Sequence, residues 1–580
     1  MTGRRRVVGA GADGGRGRSR LTPRRLQSTP IALGDQQDGD GIGTGEVMRY
    51  MRATTGTSVS RRALLHWLAG GAVCAATGAW LGVSGPWAVA LAPPRKAPAS
   101  GEPVAAREAN VPTSPGAGSV PQLAAEATAT SRSGTQVFRS RPDLHPPTVT
   151  IDIPQDATAA QGVVLTDSSA GPSQQGALLI DGRGELVWFL PAPAASNVRA
   201  QLYRGKPVLT WFEGAIVSGH GEGHYELYDS SYQEVAQVHA NGAYQGDLHE
   251  FLLTDAGSAL FTCYGQATGA LGAGEASDGA YYYGVVQEVE VATGRLLFEW
   301  RSDEHVSFDE SYVPRPASPD VPWDYFHINS IDVDPIDGNL IISSRNAWAA
   351  YKLDRNSGEV LWRLGGKLSD FAMGTGARFA FQHDVRRHPD GTLTLFDDQA
   401  GPPDEASQSR GLVLRLDESS RTTTVLDQYH HSPALLSRAL GSMQDLGQGH
   451  RFVGWGISSY FTEYDSSGRA VFDGHLVAGT SSYRAFKQPW EGQPAGDPAI
   501  AISAGQGTAT VYASWNGATE VEQWSVLGGA DAQELSVLGV GRRVGFETAI
   551  TVPDPPAYLA VEALDNTGAV LGRSSALPSS

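Results

Sequence analysis

The sequence predicts an all-β protein, a six-bladed β-propeller followed by a small C-terminal β-sandwich of the immunoglobulin or fibronectin kind. Three observations carry this. Gly (70) and Pro (34) are abundant among 580 residues and only 18% are charged, as many short strands joined by tight turns require. From about Pro146, runs rich in Val, Leu, Ile and aromatics alternate with turns of Asp, Asn, Ser and Gly. These runs fall into two recurring hairpin types, and such self-similarity marks a repeat architecture.

Residues 1–62 hold twelve Arg against five acids, about +7, so with a total of −18 the remainder carries about −25. An acidic body repels phosphate at long range, which argues against nucleic acid as a partner. A small anion in a locally basic pocket is still compatible with it. Ser60-Arg61-Arg62-Ala63-Leu64-Leu65 opens an apolar run to about Val83, and Trp87–Ala90 (WAVA) supplies the small residues of a signal-peptidase site. Residues 1–90 therefore look like an N-terminal extension with a twin-arginine secretion signal, which places the mature protein outside the cell or at its surface. An uncleaved membrane anchor is the alternative, since the run is long enough to span. Met48 or Met51 is the expected start of translation. Of two cysteines, Cys74 falls in the segment expected to be removed and Cys263 is left alone, so neither an intramolecular disulfide nor a thiolate metal cage is expected. Residues 91–140, dominated by Ala, Pro, Ser, Gly and Thr, read as a disordered linker.

Residues 141–490 carry the repeats. One hairpin type reads LLIDGRGELVWFL, YELYDSSYQEVAQV, YKLDRNSGEVLWRLGG or FTEYDSSGRAVF, with a turn built on Asp or Gly. The second reads LHEFLLTDAGSALFTCY, HINSIDVDPIDGNLIISSR or QHDVRRHPDGTLTLFDD. Two hairpins make one four-stranded sheet, and five or six such pairs fit between about 146 and 490; radial repetition gives a propeller, while two facing sheets of a large sandwich are the structural alternative. Residues 491–580 read as short alternating strands, such as TATVYASW and AYLAVEALD, of a small sandwich.

The second hairpin type concentrates the chemistry. His249 precedes its turn glycine Gly257 by eight residues, His327 precedes Gly338 by eleven, and His383 precedes Gly391 by eight. Folding each hairpin brings Arg345 beside His327, Cys263 or Tyr264 beside His249, and Asp397 or Asp398 beside His383. Equivalent positions on one rim of a propeller face each other, so three imidazoles and a guanidinium would converge. Such a set of N–H donors suits a tetrahedral oxyanion, sulfuryl or phosphate. Three imidazoles could also hold zinc, but a neighbouring guanidinium argues against a metal. Trp323 and Tyr325, just before His327, read either as packing or as a platform for an aromatic ring. GHGEGH (Gly219–His224) reads as rim structure and His388 as surface.

At DLHEFLLT, DYFHINSIDVDPIDGNLIISSRN, GEVLWRLGGK and FQHDVRRHPDGTLTLFDD the chain resembles the arylsulfotransferases that work without a nucleotide sulfate donor. SRPDLHPP and SWNGATEVEQWSVL extend the resemblance over roughly 138–580. It implies a six-bladed propeller that moves a sulfuryl group from a phenolic sulfate ester to a phenol through a sulfohistidine, with no cofactor. It also implies roles: His383 as nucleophile (His327 being the other candidate), His327 and Arg345 on the sulfuryl oxygens, Asn329 orienting, and His249 as proton carrier or further donor. A non-catalytic propeller binding polyanions or glycans, and a sulfate-ester hydrolase or lyase, are the rival functions.

Overall fold

The computed structural model describes residues 120–580 apart from 129, 273–277 and 400–405. The expected export segment and most of the expected linker lie outside the described residues. Nearly every described element is a strand. The expectation of an all-β, propeller-like chain holds.

Six sheets of four or five strands occupy residues 149–488. Their innermost strands are β1 (Ala195–Tyr203), β2 (Phe251–Leu253), β3 (Ile328–Val333), β4 (His383–Arg387), β5 (Ser442–Gly447) and β6 (Ala485–Gln488). Each lies against the next, and β6 lies against β1, so the inner strands form a closed ring. Pairing within the sheets is antiparallel except for two short additions, Trp323–Asp324 and Ala372–Met373. The ring closes twice with segments distant in sequence. β6 pairs with Val163–Ser168, and Val149–Ile153 pairs with Ala470–Leu476.

The turn chemistry explains the outer hairpins. Asp229, Asp354, Asp417 and Asp465 each accept, through Oδ1, the backbone N–H two residues on, at 2.9 Å. That side-chain bond imitates a backbone turn and reverses the strand locally. In the histidine-bearing hairpins the reversal falls to Gly257, Gly338 and Gly391, at φ 78°, 78° and 81°, a region closed to most side chains. Strand residues that alternate toward neighbouring sheets, such as Phe251, Phe261, Ile331 and Ile342, are buried in one continuous core.

Residues 499–578 supply eight strands of two further sheets, one of four strands and one of five, around Trp515, Trp524, Val511 and Val561. One of them recruits Ala125–Ala127, in register Ala125↔Ile550. The expected linker 91–140 is corrected here: besides that strand, Thr130–Arg132 pairs with Thr135–Val137. A strand added along an edge needs only its backbone N–H and C=O groups, so the small residues that lacked an apolar period could still pair. Glu547, buried, binds this entry segment at two residues, accepting from Thr128 Oγ1 (2.6 Å) and from both the amide and Oγ of Ser140 (2.6 Å each). Asn516 joins the C-terminal part to the outer strand of the first sheet, accepting from Phe189 N and donating to Phe189 O, both at 2.9 Å.

Candidate functional site

The three singled-out histidines stand at equivalent points. His249 lies two residues before β2, His327 immediately before β3, and His383 is the first residue of β4. The backbone is forced there: His327 (φ 52°), Phe381 (φ 54°) and Asp384 (φ 57°) all adopt the left-handed region. For non-glycine residues that geometry costs about 1 kcal/mol or more each, and it clusters where side chains must be aimed. As the hairpin pairing predicts, Arg345 is opposite His327, its amide donating to the His327 carbonyl at 2.9 Å.

The imidazoles do converge. His249 Nε2 and His327 Nε2 are 3.1 Å apart and share a hydrogen bond. On their far sides, His249 Nδ1 bonds Asp247 Oδ2 at 2.8 Å and His327 Nδ1 bonds Asp324 Oδ2 closely. Asp324 Oδ2 also meets His220 Nε2 at 3.2 Å. Burial acts to raise the carboxyl of Asp324, but the imidazoles of His327 and His220 hold it below the usual range; Asp247 is likewise held low against burial by His249. With both carboxylates ionised, both Nδ1 atoms carry protons, and the Nε2···Nε2 bond then needs one proton more. The pair therefore stores a proton beyond its neutral state. Burial pushes His327 down to about 4, opposed by Asp324.

His383 is arranged differently. Its Nδ1 donates to Asp398 Oδ2 at 2.5 Å, and its Nε2 accepts the amide N–H of Leu440 at 3.3 Å. This fixes the neutral tautomer with the lone pair on Nε2. Burial, followed by the charges of Arg345 and Arg484, holds its pKa well below the ordinary imidazole value. Asp397 points away and binds Arg410 Nε at 3.0 Å, and Asp384 faces Arg386 and Arg484. Arg345 lies with its guanidinium 4.7 Å from the Phe381 ring centroid and donates from Nη1 to Asn346 at 3.1 Å. Among the described residues no carboxylate pairs with it, which leaves its charge directed at the imidazoles it perturbs, His383 and His327.

Asn329, fully buried, donates to the Gln382 carbonyl at 2.9 Å and so grips the strand that starts with His383. Tyr325 and Trp323 are part of the core. The Tyr325 hydroxyl meets Ser302 Oγ at 2.9 Å, the Trp323 indole N–H donates to Val313 O at 3.2 Å, and both rings pack against Phe308. Among the described ring contacts neither meets an imidazole, so of the two readings of these rings the packing one matches their positions. Below the histidines the ring is filled by a buried charged layer. Arg386 donates from Nη2 to Glu250 at 2.5 Å across the ring, and Arg199 Nη2 is 3.7 Å from the other oxygen of Glu250.

Three members of this set escaped the sequence reading. His220, from GHGEGH, does more than shape the rim: it is buried, and its ring stacks on Tyr264 with centroids 3.8 Å apart. Asp247 and Asp324 complete the chain Asp247–His249–His327–Asp324–His220. A signal existed, since an Asp stands two residues before His249 and three before His327. His388 is also corrected: it is buried, with Nε2 2.9 Å from Thr394 Oγ1, because its strand face turns inward. Ligating atoms of His220, Asp324 and His327 lie within 4.8 Å of one another, as a metal would need. Here they bond one another, and Arg345 adds positive charge at His327, so a proton-holding chain describes the set. Cys263 is buried and free.

Comparison with known proteins agrees with this region. Residues 199–477, which contain all of these histidines, match the family model described as Arylsulfotransferase (ASST). No curated protein sequence matches. Solved structures with a similar course include a protein of unknown function from Bacteroides caccae (11% identity, TM-score 0.36, 56% of this chain and 98% of that one). A streptogramin B lyase (8%, TM-score 0.29, 70% and 98%) and the calcium-binding protein regucalcin from Agrobacterium tumefaciens (13%, TM-score 0.29, 55% and 81%) are further ones. At those scores they carry no argument about function.

Proposed function

The chain belongs to the arylsulfotransferase family over residues 199–477, and from that premise we propose that it carries a sulfuryl group from a phenolic sulfate ester to a phenol by way of His383. The observation that carries the choice of nucleophile is the tautomer of His383, with Nδ1 clamped to Asp398 and the lone pair on Nε2. His327 Nε2 faces another imidazole, a proton-sharing contact that suits it to proton handling, whereas His383 Nε2 accepts a long amide N–H bond of 3.3 Å that an incoming sulfur can displace.

In the first half-reaction the lone pair of His383 Nε2 forms an N–S bond as the ester O–S bond breaks. The departing phenolate takes the proton stored by the His249–His327 pair. In the second, an acceptor phenol returns a proton to that pair and its oxygen takes the sulfuryl group from nitrogen, restoring the imidazole. Charge stays on the three peripheral oxygens throughout, so positioning and fixed positive charge do most of the work. Arg345 is the guanidinium beside this centre, and Asn329 fixes the backbone that aims His383. The ring formed on sulfuryl transfer is cationic with its Nδ1–H retained, and the Asp398 carboxylate stabilises it.

We further read the six ringed sheets as six blades, the C-terminal pair of sheets as a sandwich, and the N-terminal sequence as an export signal delivering the protein beyond the membrane. The closed succession of inner strands supports the first of these. The test of the chemistry is to incubate the protein with 4-nitrophenyl sulfate, quench, and locate the sulfated residue by mass spectrometry. A sulfated peptide containing His383, lost in His383→Ala together with acceptor-dependent nitrophenol release, is expected. A label on His327 overturns the nucleophile, acceptor-independent release favours a hydrolase, and no release favours a binding propeller.

A further inference from the structure

On the rim that carries His383 there is a cavity of about 650 Å³, walled by Tyr312, Trp348, Phe379 and Met373, with Arg378 and Gln399 at its edge. Its wall residue Trp348 backs onto the catalytic centre through Phe381. Phe381 lies two residues before His383; Arg345 covers its ring at 4.7 Å, and Trp348 packs on it edge to face, with centroids 5.1 Å apart. Trp348 in turn stacks on Tyr312 at 3.9 Å and 8°. Trp348 is itself held at φ 52°, a conformation its bulk disfavours, so the backbone is bent to set this indole in place. Gln399 follows Asp398, the partner of His383.

We propose that this cavity binds the body of the phenolic substrate, and that it favours a fused or extended aromatic system bearing an anionic substituent over a simple phenol. This rests on the transferase reading above. Volume is the first reason: the space falls in the range of sites that enclose whole drug-sized ligands, well beyond one phenyl ring. Lining is the second, since aromatic and thioether walls bury flat rings favourably. Charge is the third. Arg378 is exposed, and among the described residues no carboxylate pairs with its side chain, in a protein with a net charge of −18. A guanidinium at the edge of an apolar cavity is placed to receive a carboxylate or sulfate on the far side of the ring from the reacting hydroxyl.

The test uses the full chain, with 4-nitrophenyl sulfate as donor and phenol, 2-naphthol or 6-hydroxy-2-naphthoate as acceptor. In the wild type kcat/KM rises in that order. Arg378→Ala removes the advantage of the naphthoate over naphthol, about fivefold for one partly solvated charge pair, and Arg378→Lys restores part of it. Met373→Trp, which fills the cavity, narrows the gap between naphthol and phenol. A naphthoate-to-naphthol ratio indifferent to Arg378→Ala, or no preference for two rings in the wild type, overturns the proposal. If no acceptor is sulfated, the transferase reading fails by itself, and calorimetric titration with 6-hydroxy-2-naphthoate decides the cavity. Binding that weakens in Arg378→Ala upholds the site, and absence of binding overturns it.

Discussion

Replacing Asp398 with Asn isolates what the carboxylate does for His383. Both groups are fully buried and their hydrogen bond is 2.5 Å long, so the substitution changes charge with little change in shape. In the resting enzyme an Asn carbonyl can still accept from Nδ1–H. As the N–S bond forms, however, the ring becomes cationic, and the bond passes from charge-assisted to neutral on the acceptor side. Charge-assisted bonds are worth about 1.5–3 kcal/mol against about 1 for neutral ones, so about 0.5–2 kcal/mol of transition-state stabilisation is lost. That corresponds to a fall in kcat of about 2- to 30-fold. It grows if the Asn amide rotates and donates to Nδ1, because the proton then sits on Nε2, against the Leu440 amide. The assay is steady-state nitrophenol release from 4-nitrophenyl sulfate at saturating phenol, with thermal unfolding as a control. KM should change much less than kcat. A folded Asp398→Asn variant with kcat within twofold of wild type refutes the reasoning, since His383 would then need no carboxylate.

Removing His220 with His220→Ala should lower kcat about tenfold by freeing Asp324 to turn away from His327, while His220→Gln, able to donate from its amide, recovers much of it; equal losses would mean His220 only fills space. Stability should fall on acidification. His327 has a folded pKa of about 4 against about 6.5 unfolded, so its contribution is intact above pH 6.5 and is lost as pH falls toward 4. At pH 5 that loss is about 2 kcal/mol, and the urea midpoint of His327→Gln should depend less on pH between 7 and 5 than that of wild type. Glu250→Ala takes a buried carboxylate away from Arg199 and Arg386, leaving Arg386 its bond to Asp384, and should destabilise by about 3 kcal/mol, seen as a clearly lowered unfolding temperature. An unchanged midpoint would mean solvent compensates those charges.

The histidine register was legible because a hairpin turn is local: the spacing to Gly257, Gly338 and Gly391 predicts that each histidine starts its strand, and Arg345 and Asp398 fall where antiparallel pairing puts them. His220 was not legible, because it comes from a different sheet and reaches Asp324 across 104 residues, a contact that no local spacing encodes. Trp323 and Tyr325 were ambiguous for a related reason. Next to a catalytic histidine an aromatic serves equally well as core or as platform, and the choice depends on neighbours such as Ser302 and Phe308 contributed by other segments. The edge strand Ala125–Ala127 had no apolar signature at all, since backbone pairing asks for none.

The double closure of the ring has a consequence for how the protein is made. The first sheet lacks its innermost strand until Ala485–Gln488 arrives, and the last lacks its outermost strand unless Val149–Ile153 has been kept waiting. The paired segments are separated by about 320 residues of chain. A nascent polypeptide therefore cannot finish the ring's seam until Gln488 has been made; it must hold one open edge through most of translation and close both in a late, long-range step. Chains released before Ala470 has been added would carry two unpaired edges, and the quality control of the producing cell would meet an open ring.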